Sequence, residues 1–143
     1  EEYYNQDALD PTLLEAEFTQ FVQKCKAKYQ IANVYCDSAE QVLIRGFKTV
    51  LRNNGIALAV KNARKGEIID RIRFYCQMMN QMRYFIISDC KETIQAFGDA
   101  VWEEDKDDVR LDDGSTNIDS LDAQEYSSEP FMRTMIDLRR KGQ

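Results

Sequence analysis

The segment that decides the fold reads Ile31-Ala32-Asn33-Val34-Tyr35-Cys36-Asp37-Ser38-Ala39-Glu40. Its apolar first half is typical of a short buried strand, and that strand ends at a carboxylate. We therefore expect Asp37 at the carboxyl end of a strand in an α/β sheet, where such folds usually bind ligands. The alternative is that Asp37 or Ser38 only caps the helix that follows, since both residue types favour helix N-caps.

The elements around this segment alternate between strands and helices. Upstream, Asp10 and Pro11 predict the start of a helix that runs to about Lys28. Downstream, the pattern predicts helices over 39–53, 67–81, 90–97, 118–126 and 129–140, and strands over 56–60, 84–87 and 100–102. Ser88 or Asp89 is expected to cap the helix over 90–97. A strand, a helix and a strand joined by short links indicate a parallel pair.

Two of these helices carry explicit predictions about which face is buried. The helix over 39–53 is expected to bury Val42, Leu43, Phe47, Val50 and Leu51. The helix over 67–81 is expected to bury Ile68, Ile69, Ile72, Tyr75, Cys76 and Met79, with Arg71 and Arg73 on its polar side. Between the later helices, residues 103–115 hold seven acidic and two basic residues. This composition predicts a mobile surface loop.

Composition limits the function classes. The chain has 143 residues and a net charge of −6, which fits one domain and argues against a general polyanion binder. A nuclease is not excluded, because carboxylates that bind metal lower the apparent charge. The chain has no His, and its four Cys residues form no C-x-x-C pair. A zinc site and a His base are therefore disfavoured, and scattered thiols favour a reducing cytoplasm.

Asp119 and Asp122 are the second candidate site after Asp37. They are three residues apart, so a helix places both carboxylates on one face. Hard cations such as Mg²⁺ and Mn²⁺ prefer such oxygen ligands, and two of these ions can activate water for phosphodiester cleavage. The alternative is a solvated acidic helix face.

Three blocks of residues resemble a known family. Val34-Tyr35-Cys36-Asp37-Ser38-Ala39-Glu40 resembles a strand that ends in Asp-Ser-Ala-Glu-Pro. Residues 59–69, with Lys65, Gly66 and Ile68, resemble a lysine-bearing turn and helix. Asp119-Ser120-Leu121-Asp122-Ala123-Gln124-Glu125-Tyr126 resembles a final His-x-x-Asp-Ala-x-Arg-Tyr helix. In this order, the blocks resemble the carboxyl-terminal nuclease domain of the large terminase subunit of tailed bacteriophages.

The resemblance implies a fold and a reaction. The expected fold is α/β, with a ribonuclease H-like mixed sheet flanked by helices, whose first strands lie upstream of residue 1. Residues 1–143 are then part of one nuclease domain that cuts concatemeric double-stranded viral DNA during packaging. The resemblance assigns Asp37, Asp119 and Asp122 to two Mg²⁺ or Mn²⁺ ions, with carboxylates about 4–8 Å apart.

The resemblance also implies roles for basic residues and partners. Lys65 is expected to approach the scissile phosphate, and Lys61, Arg64 and Arg71 to hold the DNA backbone. The alternative for these residues is a solvated basic edge. The implied partners are double-stranded viral DNA, the portal protein and the small terminase subunit. No membrane is expected, and the implied location is the cytoplasm of the bacterial host.

The sequence departs from the family pattern at several positions. Asp119 stands where many members have His, Glu125 replaces the usual Arg, and Gln41 replaces the usual Pro. The first metal-binding Asp of the family and the ATPase domain are expected upstream, so this stretch alone is expected to bind metal poorly. The alternatives are a catalytically inactive assembly module, which docks through the acidic loop and the last helix, and an unrelated α/β nucleotide-binding domain. No Gly-rich phosphate loop supports the latter.

Overall fold

The computed structural model describes residues 1–7, 9–106, 109–111, 113–115 and 117–136 in full, together with the backbone of 137–140. Over these residues the chain is mixed α/β, as predicted, with six α-helices and a two-stranded parallel sheet. The elements are α1 (Pro11–Lys28), β1 (Asn33–Cys36), α2 (Gln41–Asn53), β2 (Ala59–Asn62), α3 (Ile68–Asn80), α4 (Lys91–Asp99), α5 (Ile118–Ser128), a 3-10 turn (Glu129–Phe131) and α6 (Met132–Arg140). The chain divides into two compact units: Tyr3–Ala63 with Glu1, and Arg64–Gln143 with Glu2.

The first unit begins with the helix that Asp10 and Pro11 predicted. The Asp10 carboxylate accepts hydrogen bonds from the N–H groups of Thr12 at 2.9 Å and Leu13 at 3.1 Å, which satisfies two free donors of the first turn. Helix α1 packs on α2, and Phe18 stacks on Phe47 with ring centroids 4.0 Å apart. The core between these helices and the sheet consists of Val22, Ile44, Leu51 and Val60.

The parallel pairing of β1 with β2 is confirmed, with Val34 opposite Val60. The second strand starts later than predicted, at Ala59 instead of residue 56. The N–H of Ile56 donates to the carbonyl of Leu51 at 2.9 Å and so completes the end of α2, where Gly55 has a φ of 67°. Ile56 packs against the core but does not belong to the β-ladder.

The predicted buried face of α2 was wrong at one end. Val42 is 71% exposed, while Ile44 is almost fully buried. Ile44, Phe47 and Leu51 follow the spacing i, i+3, i+7 and contribute to the same core. Val42 lies two residues from Ile44, about 200° around the helix, so it cannot share that face.

The predicted buried face of α3 was only partly right, since Tyr75 is buried as predicted but Cys76 is not. The structure buries Arg71, Phe74, Tyr75 and Met78, and it exposes Cys76. These residues follow the spacing i, i+3, i+4, i+7, with an arginine as the first member. Arg71 was predicted on the polar side, and Phe74 and Met78 were left out of the predicted face. An arginine is buried here because acidic partners from other segments meet it, as described below.

The predicted third strand over 84–87 is not a strand within the described residues. Tyr84 packs on Tyr75, with ring centroids 5.0 Å apart, but Phe85 is 67% exposed. An apolar run can pack through alternate side chains without pairing in a ladder, so its composition alone did not distinguish the two cases.

In place of the predicted edge strand over 100–102, the described residues form an antiparallel bridge between Trp102 and Arg110. The N–H of Glu103 donates to the carbonyl of Val109 at 2.8 Å, and that of Leu111 donates to the carbonyl of Val101 at 3.0 Å. Asp107, Asp108 and Asp112 lie outside the described residues, and the mobility of the acidic loop stays a prediction. The bridge brings the chain back after the loop and positions Arg110 in the second unit.

The last two helices form where they were predicted. Asn117 caps α5, since its side-chain oxygen accepts the N–H of Ser120 at 3.1 Å. The segment that Pro130 opens starts as the 3-10 turn and continues as α6. Among the helices that the structure describes, none is both long and apolar enough to cross a membrane.

Helix α4 is capped by a residue from the start of the chain, so the prediction of Ser88 or Asp89 as its cap was wrong. Cys90 occupies the N-cap position without a side-chain hydrogen bond among the described residues. The Glu2 carboxylate instead accepts the N–H groups of Glu92 at 3.1 Å and Thr93 at 2.6 Å, and the Thr93 hydroxyl at 2.6 Å. A carboxylate at a helix N-terminus also interacts favourably with the helix dipole.

We expect Glu2→Ala to lower the free energy of unfolding by about 1 kcal/mol, the usual effect of losing a helix cap. Burial acts to raise the pKa of Glu2, but the hydrogen bonds from Thr93 and Glu92 outweigh it and lower the pKa from 4.5. Because the pKa is lower in the folded state, the contribution of Glu2 is full above about pH 4.5 and is lost as the pH falls through the folded pKa. Urea unfolding of both proteins between pH 7 and pH 3 measures this.

The difference between Glu2→Ala and the parent protein should therefore shrink as the solution is acidified. Gln77→Ala, at an exposed position of α3, serves as the control and should change stability by less than about 0.5 kcal/mol. A stability difference for Glu2→Ala that is constant with pH would contradict the capping role.

Candidate functional site

Asp37 lies in the first unit, directly after the last residue of β1, as predicted. Its carboxylate accepts the N–H of Ala39 at 2.8 Å, and its carbonyl accepts the N–H of Glu40 at 3.2 Å. These bonds form a turn that leads into α2, whose N-cap position is Glu40. The alternative that Ser38 caps this helix is therefore wrong, while Asp37 itself organises the turn.

Asp119 and Asp122 lie in the second unit, on α5. Asp119 is exposed, and the side chain of Asp122 is 30% exposed. The two carboxylates therefore differ in surroundings although they are one helical turn apart. The expected distance of about 4–8 Å between Asp37 and these carboxylates stays a prediction.

Asp122 belongs to a group of four charged residues in the second unit, which we call the arginine–carboxylate cluster: Arg71, Arg110, Asp122 and Glu125. Arg71 Nη1 lies 2.7 Å from Glu125 Oε2 and 3.4 Å from Asp122 Oδ1. Arg110 Nη2 donates to Glu125 Oε1, and Arg110 Nη1 lies 3.5 Å from Asp122 Oδ1. The two positive and two negative charges of the cluster balance.

The cluster is buried at three of its four members. Arg71 is 6% exposed, Arg110 is 7% exposed and Glu125 is 2% exposed. Charges at such depth require partners, because transfer from water to a protein interior costs several kcal/mol per ion. Glu125 is the centre of this pairing, since each of its oxygens accepts from a different arginine.

Tyr126 connects Asp122 to the predicted lysine. Its hydroxyl donates to Asp122 Oδ2 at 2.9 Å, and Lys65 Nζ lies 5.7 Å from the centre of its ring. This distance is within the range of a cation–π interaction. Lys65 and Asp122 come from separate blocks of the sequence, and the fold of the second unit places them on the same aromatic side chain.

The four predicted DNA-contacting residues divide by exposure. Lys61, Arg64 and Lys65 are exposed, and Lys61 is part of β2. Arg71 is buried and paired with two carboxylates. A phosphate contact needs an accessible guanidinium, so we do not count Arg71 among the residues proposed to contact DNA.

Comparisons with known proteins give no further information about this site. No protein-family model, curated protein or solved structure matches this chain. The resemblance to terminase nuclease domains therefore depends on the three sequence blocks alone, and its functional consequences are proposals.

The carboxylates fit a hard cation by type, but Asp122 already has partners. Both oxygens of Asp122 face positive or hydrogen-bonding groups: Oδ1 faces the two arginines, and Oδ2 accepts from Tyr126. In the part of the chain that the structure describes, no three Asp, Glu or Cys side chains form a group that could hold a metal. A cation at Asp122 would therefore have to replace the long arginine contacts.

Sequence reasoning missed Arg110, Glu125 and Tyr126 as parts of this site. Arg110 was interpreted as one of two basic residues in an acidic loop, although its neighbours Val109 and Leu111 are apolar. Tyr126 is four residues after Asp122, a spacing that places two helical side chains in contact. That spacing was the available signal for the Tyr126 hydrogen bond.

Proposed function

We propose that this chain is a ribonuclease H-like nuclease domain of a viral terminase large subunit. Its activity would be metal-dependent endonucleolytic cutting of concatemeric double-stranded DNA during packaging. The observation that carries the proposal is the convergence of Lys65 and Asp122 on Tyr126. All three residues belong to blocks that resemble the family, and the contact between them was not used to find the resemblance.

Asp37, Asp119 and Asp122 would hold the Mg²⁺ or Mn²⁺ ions, which supply an activated water and charge stabilisation at the scissile phosphate. Lys65 would contact that phosphate, and Lys61 and Arg64 would contact the DNA backbone as exposed cations. Tyr126 would orient Asp122 through its hydrogen bond. Arg71 and Arg110 would neutralise Glu125, which replaces the arginine of the family pattern. The portal protein and the small terminase subunit are the proposed partners, in the cytoplasm of a bacterial host.

The proposal is tested in the longest native chain that contains these 143 residues. We expect Mn²⁺ to bind in calorimetric titration, and Mn²⁺ or Mg²⁺ to support nicking and then linearisation of a plasmid. Lys65→Ala should slow the cutting, because it removes the exposed cation over the Tyr126 ring that is proposed to contact the scissile phosphate. Lys91→Ala, at an exposed position of α4, is the matched control and should cut at the parent rate. The absence of both Mn²⁺ binding and cutting would refute the nuclease proposal.

A second candidate function is a catalytically inactive assembly module that docks on the portal or on a partner subunit. The pairing of Asp122 with two arginines favours it, because this carboxylate is already neutralised without a metal. In this case the protein should co-sediment with its partner in the presence of a chelator and should show no Mn²⁺ binding. Metal binding therefore separates the two candidates.

A further inference from the structure

The segment over 84–87 in the second unit has the side-chain pattern of a strand. Phe85 is 67% exposed and Ile87 is 57% exposed, while Tyr84 and Ile86, which alternate with them, are half-buried. This period of two is typical of an extended chain that turns one face to the core and the other to solvent. The segment therefore presents two large apolar side chains on its outer face.

The backbone of this segment is unpaired in the described structure. The N–H groups of 84–87 make no hydrogen bond to another backbone group among the described residues. Of the four carbonyls, that of Ile87 accepts the N–H of Cys90 at 3.0 Å and so closes the turn after the segment. An exposed strand with free N–H and C=O groups is a template for pairing with another strand. The free backbone and the outer apolar side chains together favour the addition of a strand here.

The residues that flank the segment carry opposite charges. Arg83 precedes it, Asp89 lies in the turn that follows it, and both side chains are exposed. Arg83 Nη2 donates to the carbonyl of Met135 at 2.8 Å, a neutral partner that does not offset the positive charge. The segment is thus basic before its apolar residues and acidic after them, which makes it complementary to a reversed copy of itself.

The register of such a pair follows from the exposed face. In an antiparallel pair, residues directly opposite each other have their side chains on the same face. Placing Phe85 opposite Ile87 of a second copy keeps the exposed apolar side chains together, and the same register brings Arg83 beside Asp89 at each end. A slip of one residue would place exposed side chains opposite half-buried ones. A parallel pair would place like charges together.

We propose that residues 84–87 pair in antiparallel fashion with the same residues of a second copy of this chain, in a homodimer with two-fold symmetry. The interface is isologous, so each contact between the copies occurs twice. It does not include Lys65, Asp119 or Asp122. The dimer therefore does not depend on the proposed nuclease function, and failure of one proposal leaves the other intact.

Analytical ultracentrifugation without added metal tests the dimer, in the longest native chain that contains these 143 residues. The average mass should rise from that of a monomer towards twice that value as the concentration approaches roughly 500 µM, since an interface of one strand pair is small and weak. Amide exchange over 84–87 should slow over the same range. A monomer at every concentration would overturn the proposal, including a monomer whose own chain protects these amides.

Phe85→Lys and Val42→Lys are a matched pair of variants. Phe85 is 67% exposed and Val42 is 71% exposed, so each change replaces an exposed apolar side chain with the same cation. Phe85→Lys should raise the dissociation constant of the dimer at least tenfold, because it places a charge opposite Ile87 of the other copy. Val42→Lys, on α2, should leave this constant within twofold. Equal dissociation constants for the two folded variants would overturn the assignment to 84–87.

Charge reversal tests the antiparallel register. Arg83→Glu or Asp89→Arg alone places like charges together at both ends of the pair and should weaken the dimer at least fivefold. The double variant Arg83→Glu/Asp89→Arg restores opposite charges and should return the dissociation constant to within threefold of the parent value. Thermal unfolding verifies that each variant is folded. A double variant no tighter than either single variant would overturn the proposed register.

Discussion

Glu125→Gln should lower the free energy of unfolding by about 3 kcal/mol, since removing one partner of a buried ion pair usually costs about 3–5 kcal/mol. Glu125 is 2% exposed and accepts from Arg71 and Arg110, which are themselves buried. The amide has one acceptor oxygen and no charge, so it cannot satisfy both guanidiniums. The lower end of the range applies because the carboxylate of Asp122 remains 3.4 Å and 3.5 Å from the two arginines.

Chemical denaturation at neutral pH measures this loss. Glu67→Gln is the matched control, because Glu67 is exposed and its side chain makes no capping hydrogen bond in the described structure. It should change stability by less than about 0.5 kcal/mol. If Glu125→Gln lowered the free energy of unfolding no more than Glu67→Gln does, the buried pairing of Glu125 would be incorrect.

The pairing also predicts non-additivity within the cluster. The double variant Arg110→Met/Glu125→Leu removes one charge of each sign and leaves Arg71 beside Asp122. Its loss of stability should therefore be smaller than the sum of the losses in Arg110→Met and Glu125→Leu, by about 1–3 kcal/mol in a double-mutant cycle.

Under the proposed nuclease function, Asp122→Asn should reduce metal-dependent cutting roughly 100-fold or more, because even the loss of a group outside the ligand shell typically costs about 10–100-fold. A neutral amide is a poor ligand for a hard cation. The fold should remain intact. Asparagine still accepts the Tyr126 hydroxyl, and Glu125 still pairs with both arginines. Plasmid nicking measures the activity, and thermal unfolding measures the stability.

Two further variants test whether the loss of cutting is specific to Asp122. Asp119→Asn should weaken cutting less or shift the preferred metal, because the proposed resemblance aligns Asp119 with a position that is often His. Asp70→Asn removes an exposed carboxylate of α3 and should cut at the parent rate. Full metal-dependent activity in folded Asp122→Asn would refute the assignment of Asp122 to the site.

Much of the local structure could be predicted from residue patterns. The start of α1 at Pro11, the end of α2 before Gly55 and the strand that ends before Asp37 each depend on chemistry within a few neighbouring residues. Caps, turns and glycine conformations act over such short distances. The parallel pairing of β1 and β2 was also predictable, because a strand–helix–strand unit with short links strongly favours it.

The candidate site was less predictable. Asp122 and Lys65 were identified from motifs, but their connection through Tyr126 requires α5 to pack beside the segment that carries Lys65. Arg71 was assigned to solvent because an arginine on a helix is usually exposed. Its burial is stable only with Glu125 as a partner 54 positions further along the chain.

The sequence by itself determined the mixed α/β class, the helix α1 with its cap, and the position of Asp37 at the end of β1. Tertiary structure alone decided the cap of α4 by Glu2 and the burial of Arg71 and Arg110 around Glu125. The physical reason is the range of the interactions. Local hydrogen bonds act between neighbours in the chain, whereas a buried charge is stable only when an opposite charge from a distant segment meets it.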